Sequence, residues 1–225
     1  MANEEEKEAA GRAAAKLVRE GDVVGLGTGS TAYFAVTALG ERVKGGMRIL
    51  GIPTSMQTAE LARAVGIPLT TLDEHAEIDI TIDGADEVDR HLNLIKGGGG
   101  ALLCEKVVAS ASKRMIVVAD SGKLVDRLGK FPLPVEVISF ARTVVEKTIT
   151  SLGASVKLRA KSDGSPYLTD NGNPILDCSF GLIENPAALA EKLSRIPGIV
   201  EHGLFIGLAE RALIGRARNI EEICR

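Results

Sequence analysis

A lysine, a run of glycines and a glutamate share one short stretch, Lys96-Gly97-Gly98-Gly99-Gly100-Ala-Leu-Leu-Cys104-Glu105. Ordering a glycine run is entropically costly, so its use implies that something must approach the backbone closely. The chemistry that fits is a loop whose N–H groups face a polar ligand at a helix N-terminus, with an acid one turn further on. With a helix over Ala101 to about Ser112, Glu105 has Ala101, Leu102, Val108 and Ala109 as its neighbours, all apolar. A carboxylate on such a face is desolvated, its pKa rises, and it becomes suited to general-base work near neutral pH. A glycine-rich turn with Glu105 tied up in a structural ion pair is the alternative.

Other polar loops also follow directly on β-type runs. Asp22 to Leu26 breaks into Gly25-Leu-Gly27-Thr28-Gly29-Ser30-Thr31, with a helix starting near Ala32. Strand, glycine loop and helix together offer backbone N–H groups to a phosphate, and Thr28, Ser30 and Thr31 add three hydroxyls. A helix cap with a tight turn is the plainer reading. The dinucleotide fingerprint fails, because its third glycine is replaced by Ser30 and the segment Arg48–Ser55 supplies no ribose-binding acid. A Walker loop fails for want of Gly-Lys-Ser/Thr. Further on, the alternating run Ile78–Asp83 enters Asp83-Gly84-Ala85-Asp86-Glu87-Val88-Asp89. These acids suit substrate hydroxyls, a solvated turn or a metal; the ligand spacing of an EF-hand is absent. Last, Met115–Asp120 reads as a buried strand followed by Ser121-Gly122-Lys123.

The elements that would carry these loops alternate: helix Glu4–Arg19, helix Met56–Val65, short strand Gly66–Thr70, then the strands and tetraglycine helix above. Such alternation implies a parallel sheet with helices on both faces. The pattern changes at Gly129-Lys-Phe-Pro132-Leu-Pro134. Beyond it the chain reads as strand Val135–Ile138, helix Ala141–Leu152, strand Ser155–Ala160, strand Pro174–Phe180, helix Pro186–Arg195 and strand Ile199–Phe205. That split β-α-β order belongs to a small ferredoxin-like α+β unit. Ala212–Arg216 would return to the first sheet. The expected fold is therefore α/β, a Rossmann-like domain of residues 1–131 and 207–225 with a smaller α+β domain of 132–206.

Composition narrows the function classes. A net charge of −3 without a basic, aromatic-interleaved patch argues against nucleic acid as partner. Three widely spaced cysteines, Cys104, Cys178 and Cys224, suggest reduced thiols rather than a disulfide framework or zinc site. The acidic start, Met1-Ala-Asn-Glu-Glu-Glu-Lys7, is unlike a signal peptide, and no apolar run is long enough for a membrane span. A cytoplasmic protein without membrane or nucleic-acid partners is expected.

Taken together, Gly27-Thr28-Gly29-Ser30-Thr31, Asp83-Gly84-Ala85-Asp86-Glu87, Lys96-Gly97-Gly98-Gly99 with Glu105-Lys106, and Lys123 ahead of Leu128-Gly-Lys-Phe-Pro-Leu-Pro-Val-Glu136 resemble the A-type ribose-5-phosphate isomerase family over nearly the whole chain. The resemblance implies interconversion of ribose 5-phosphate and ribulose 5-phosphate through an enediol, with no metal or organic cofactor. By matching position it implies Glu105 as acid/base, with Asp83, Asp86 and Lys96 at the sugar's reacting end. Thr28, Gly29, Ser30, Thr31, Gly84, Ala85, Gly97, Gly98 and Gly99 would hold substrate, Lys7 and Lys123 its phosphate. It further suggests a homo-oligomer, a dimer or tetramer. Two positions depart from the family's habit: Cys104 stands where an arginine is common, and Gly100 where alanine often stands. Cys104 would expose the site to oxidation. The rival is a non-catalytic phosphosugar sensor of the same superfamily, although no helix-turn-helix segment is visible. A CoA transferase would need a CoA groove.

Overall fold

Short apolar runs ending in glycine-rich turns, each followed by an amphipathic segment, give the chain alternating strands and helices. The computed structural model describes residues 2–217 and 219–225. In order these are α1 (Ala2–Ala15), β1 (Val23–Leu26), α2 (Ser30–Lys44), β2 (Leu50–Pro53), α3 (Met56–Val65), β3 (Ile80–Gly84), β4 (Glu87–Val88), β5 (Leu94–Ile95), α4 (Leu102–Ser110) and β6 (Met115–Asp120). Then come β7 (Leu133–Val137), α5 (Arg142–Ser151), β8 (Ser155–Leu158), β9 (Ile175–Ser179), α6 (Pro186–Ser194), β10 (Ile199–His202), β11 (Leu204–Phe205), β12 (Arg211–Arg216) and β13 (Asn219–Cys224).

The larger sheet has the order β13-β12-β6-β3-β1-β2. Its strands run parallel except β13, which pairs antiparallel with β12. The two faces of β6 show how it is covered. Ile116 and Val118 join the apolar cluster of α1, α2 and α3, while Met115, Val117 and Ala119 join the opposite cluster with Ala109 of α4 and Phe205. From β1 the chain goes to β2 on one side and returns as β3 on the other. The crevice between the C-terminal ends of β1 and β3 is thus a topological switch point, the place where open α/β sheets receive ligands.

The smaller sheet, β10-β7-β9-β8, is antiparallel throughout. With α5 and α6 it completes the βαββαβ order of a ferredoxin-like unit. Its own core is Val135, Val137, Val145, Ile149, Leu176 and Leu193 with their neighbours. A third, three-stranded sheet, β11-β5-β4, lies between the two sequence regions.

Several expectations need correction. Helix α1 stops at Ala15, where Lys16 and Leu17 donate to Ala13 and Ala14 and tighten the last turn. The segment 66–70 forms only a single bridge, Leu69 to Gly51. The expected strand Ile199–Phe205 is two strands. At Gly203 the chain changes sheets, its N–H donating to Pro134 and its carbonyl accepting from Lys96. The two-residue β4 and β5 are too short to show periodicity. Strand β13 was not expected either, because its Glu221 and Glu222 are paired with Arg216 and Arg211 instead of alternating with a buried face.

Candidate active site

Asp83 is the next-to-last residue of the apolar strand β3, at the switch point, and is fully buried. Its Oδ1 accepts the N–H of Thr28 at 3.1 Å and that of Gly84 at 2.7 Å, so one carboxylate oxygen stitches the ends of β1 and β3 together. Its Oδ2 lies 3.0 Å from Lys96 Nζ, off the hydrogen-bond direction. Lys96, only 2 % exposed, follows β5 and points back beneath the loops. Its ammonium also donates to the Gly84 carbonyl and, at 3.1 Å, to Glu105 Oε1.

Glu105 is the fourth residue of α4 and is buried, with Oε2 free of any protein partner among the described residues. Burial pushes its pKa up to about 8; the Lys96 charge works against that rise, and the neighbouring Asp83 adds to it. Burial also raises Asp83, against the pull of Lys96. For Lys96, burial favours the neutral amine, but two carboxylates outweigh it and keep the ammonium charged. The cluster thus holds two carboxylates and one ammonium in a nearly water-free place. Its surplus negative charge makes it a proton acceptor near neutral pH. The apolar face expected around Glu105 is real for Leu102, Val108 and Ala109, yet the decisive neighbour is Lys96, nine residues earlier and outside any helical spacing.

The loops converge on a cavity of about 100 Å³. Its walls are residues 28–31, residues 84–86, Lys96 with Gly97–Gly99, Glu105 and Lys123. Two of the expected site residues are not on that wall. Asp83 lies beneath it, facing Lys96. Lys7 lines a larger open cleft of about 1130 Å³ that shares Gly29 and Ser30 with the cavity. Ala10 and Ala14 of α1 share an apolar cluster with Ala35 and Leu39 of α2, and Lys7 lines the same cleft as Gly29 and Ser30 at the start of α2.

Each loop has a local reason for its shape. Helix α2 begins at Ser30 with no side chain capping its first N–H groups, which leaves them for an anion. Ser55 caps α3 by contrast, accepting from Thr58 N. The Thr28 hydroxyl is turned away into a cluster with Thr54, Ser55 and Thr58, so only Ser30 and Thr31 offer hydroxyls at the helix start. Asp86 Oδ2 accepts the Gly98 N–H at 2.7 Å; a Cβ on Gly98 would lie 2.5 Å from Asp86 Oδ1, which explains glycine there. The remaining acids of that segment are structural. Glu87 accepts from the N–H groups of Gly129 and Phe131, and Asp89 from those of His91 and Asn93. No metal-ligand cluster occurs among the described residues.

Sequence reading missed what the smaller sheet contributes. Arg159 donates to the carbonyls of Gly97 and Gly98, and Tyr167 Oη to that of Gly99 at 3.2 Å. Asp170 accepts from Met56 N at the start of α3, and the Asn171 amide lies against Cys104 Sγ. Glu6 was missed as well: it accepts from Ser121 N and Oγ and so fixes the turn that carries Lys123. All of these are distant in sequence from the loops they hold, and only the dense polar hairpin of residues 159–173 hints at them. The Gly100 departure has a local cause. With φ at 83° and the Tyr167 hydroxyl 2.2 Å from where a Cβ would stand, alanine does not fit here without movement of that tyrosine.

Comparison with known proteins agrees with this geometry. Residues 50–219 match the family described as ribose 5-phosphate isomerase A (phosphoriboisomerase A). The chain is 51 % identical to a ribose-5-phosphate isomerase A of Parvibaculum lavamentivorans, over 99 % of both chains. A solved D-ribose-5-phosphate isomerase in complex with phospho-erythronic acid superposes with a TM-score of 0.97 at 40 % identity, covering 100 % of both chains. The ribose 5-phosphate isomerase A of Methanocaldococcus jannaschii gives 0.93 at 40 %, covering 97 % of this chain and 98 % of that one. With a buried Asp83–Lys96–Glu105 cluster at the switch point and full-length likeness on both counts, the chain belongs to the ribose 5-phosphate isomerase A family.

Proposed function

We propose that Glu105 is the acid/base of the interconversion of D-ribose 5-phosphate and D-ribulose 5-phosphate, the aldose–ketose isomerisation carried out by this family. The isomerase reading stands above a non-catalytic sensor because relatives matching end to end are named isomerases. One observation carries the assignment: a buried carboxyl with its pKa raised to about 8 shares one lysine with a second carboxylate and opens onto a cavity ringed by polar loops.

Isomerisation through an enediol moves one proton between C2 and C1. Ionised Glu105 takes it from C2 of the aldose and returns it to C1, a role worth roughly 10²–10⁴ in rate. Charge then develops on the carbonyl oxygen. The Lys96 ammonium and the N–H of Gly99 stabilise it, each well-placed donor contributing about 3 kcal/mol. Asp86, held by Gly98 N–H, orients a sugar hydroxyl and relays its proton. Asp83 acts one step back, by keeping Lys96 charged and in place. The phosphate sits at the uncapped start of α2, on Ser30 and Thr31, with Lys123 and Lys7 approaching from either side. That remote anchor supplies binding energy that fixes the reacting carbons beside Glu105. The test is Glu105→Gln, with ketose formation followed spectroscopically and ligand binding by calorimetry. Turnover should collapse while sugar-phosphate affinity stays close to normal; near-normal turnover would show the base to lie elsewhere.

The proposal extends to the setting. Residues 1–131 with 207–225 form the catalytic domain and 132–206 the smaller one. The three thiols are unpaired, in keeping with a cytoplasmic location, and no helix among the described residues is long and apolar enough to cross a membrane. Exposed Phe140 and Val144 on the smaller domain suit a contact between copies in a homodimer or tetramer, which light scattering would test.

A further inference from the structure

We infer that Arg159, held by Asp177, is a positioning residue that aims the amides of the 97–99 loop at the substrate. Arg159 lies on the hairpin that follows β8, in the half of the chain that provides none of the cavity wall. Its guanidinium is forked onto the Asp177 carboxylate, Nε to Oδ2 at 3.0 Å and Nη2 to Oδ1 at 2.5 Å, and the pair is largely buried. The remaining Nη1 donates to the Gly97 carbonyl at 2.8 Å and to the Gly98 carbonyl at 3.1 Å.

Two carbonyls gripped from behind fix two peptide planes, because the N–H of a trans peptide points opposite to its C=O. With Gly97 O facing Arg159, the Gly98 N–H faces forward, where it meets Asp86 Oδ2 at 2.7 Å. With Gly98 O facing Arg159, the Gly99 N–H faces forward too, and it has no protein acceptor among the described residues while Gly99 lines the cavity. A cation behind each carbonyl also polarises the peptide and strengthens the N–H on its other side. Glycines offer no side chain to hold such planes; within the loop the Gly100 N–H donates to Gly97 O at 2.9 Å, while Gly98 O is held from outside by Arg159. Lysine would not reproduce it: a single ammonium cannot fork to a carboxylate and still bridge two carbonyls.

This rests on the reading that the loop faces developing negative charge, and the measurement is chosen to separate the two. Binding of 4-phospho-erythronate, which carries a carboxylate at the reacting end, is compared with that of ribitol 5-phosphate, which is neutral there. Arg159→Ala should lower kcat and weaken the aldonate by about tenfold or more. KM and ribitol phosphate binding should change by less than about threefold, since uniform binding is untouched. Arg159→Lys and Asp177→Asn should shift the same ratio in the same direction, and they stand in if the alanine variant fails to fold. Equal weakening of both ligands, or loss of melting temperature with no change in the ratio, overturns the inference. Glu105→Gln measured alongside keeps the outcomes apart. If it collapses turnover while the Arg159 variants keep the ratio, only the Arg159 inference falls. If it turns over normally, the base assignment falls and the ratio still reports on the loop.

Discussion

Adjacent residues of α4 enter two buried charged clusters of opposite character. Glu105 meets Lys96 and Asp83, two carboxylates around one ammonium. Lys106 meets Glu201 at 2.6 Å and the His202 carbonyl, with the Phe205 ring 5.0 Å from its charge. In that second cluster the charges match one to one. Burial there lowers Lys106, against Glu201, and drives His202 down to about 4, so the imidazole is neutral at physiological pH. The first cluster has an acid too many, and burial forces a proton onto the pair in the neutral range. A matched buried pair ties elements together; an unmatched one next to a cavity can do proton chemistry.

Breaking the unmatched cluster should have the largest effects. Glu105→Gln should cost roughly 10²–10⁴ in kcat, measured by ketose formation. Lys96→Met strands two carboxylates without their cation and should destabilise the fold by about 3–5 kcal/mol, read by urea denaturation. It should abolish turnover as well.

The raised Glu105 also sets two opposite pH trends. With ionised Glu105 as the proposed base, kcat/KM should climb with pH and level off above about 8. Stability should run the other way. A group whose folded pKa lies above its unfolded value stabilises fully below the unfolded value, 4.5 here, and loses that contribution as pH rises through about 8. The urea midpoint should therefore fall between about pH 6 and pH 8, roughly the upper half of this span, and level off above it, and Glu105→Gln should flatten the fall. A pH–rate profile flat across that range would dissolve the contrast between the clusters.

The matched cluster should answer differently. Lys106→Met should lower stability by about 1.5–3 kcal/mol through lost charged hydrogen bonds, with kcat nearly unchanged. Smallest of all, Cys104→Ser should alter kcat by no more than about twofold, since Cys104 is half-buried and its side chain hydrogen-bonds, among the described residues, to the Asn171 amide alone. The wild-type chain alone should lose activity on mild peroxide treatment if that thiol is the sensitive group.

Much of the frame was legible beforehand. The helix Met56–Val65 and the strand Met115–Asp120 were read with the bounds the structure has, because Ser55 and Gly66 punctuate one and an unbroken apolar run defines the other. The ferredoxin-like order was readable from the sequence of strand-like and helix-like runs beyond Pro134. The unread pieces are those where pairing partners, not local pattern, make the element. Strands β4 and β5 are made by pairing with each other, with β11 and, at Val88, with Leu124, and β13 by its pairing with β12. The site divided in the same way. Ser30, Thr31, Asp86 and Glu105 announced themselves through residue type beside glycine. Arg159, Tyr167 and Glu6 did not, since nothing local distinguishes a loop-holding arginine from a solvated one.

What the sequence determined by itself is the set of polar loops and their place at strand ends, because hydrophobic periodicity and glycine punctuation are local properties. What only the tertiary structure decided is charge. Whether Glu105 would be an idle ion pair or a raised acid depended on how many carboxylates converge on Lys96 and how little water reaches them. Those are distances across loops that no local periodicity sets, and dielectric and Coulombic effects follow space rather than sequence.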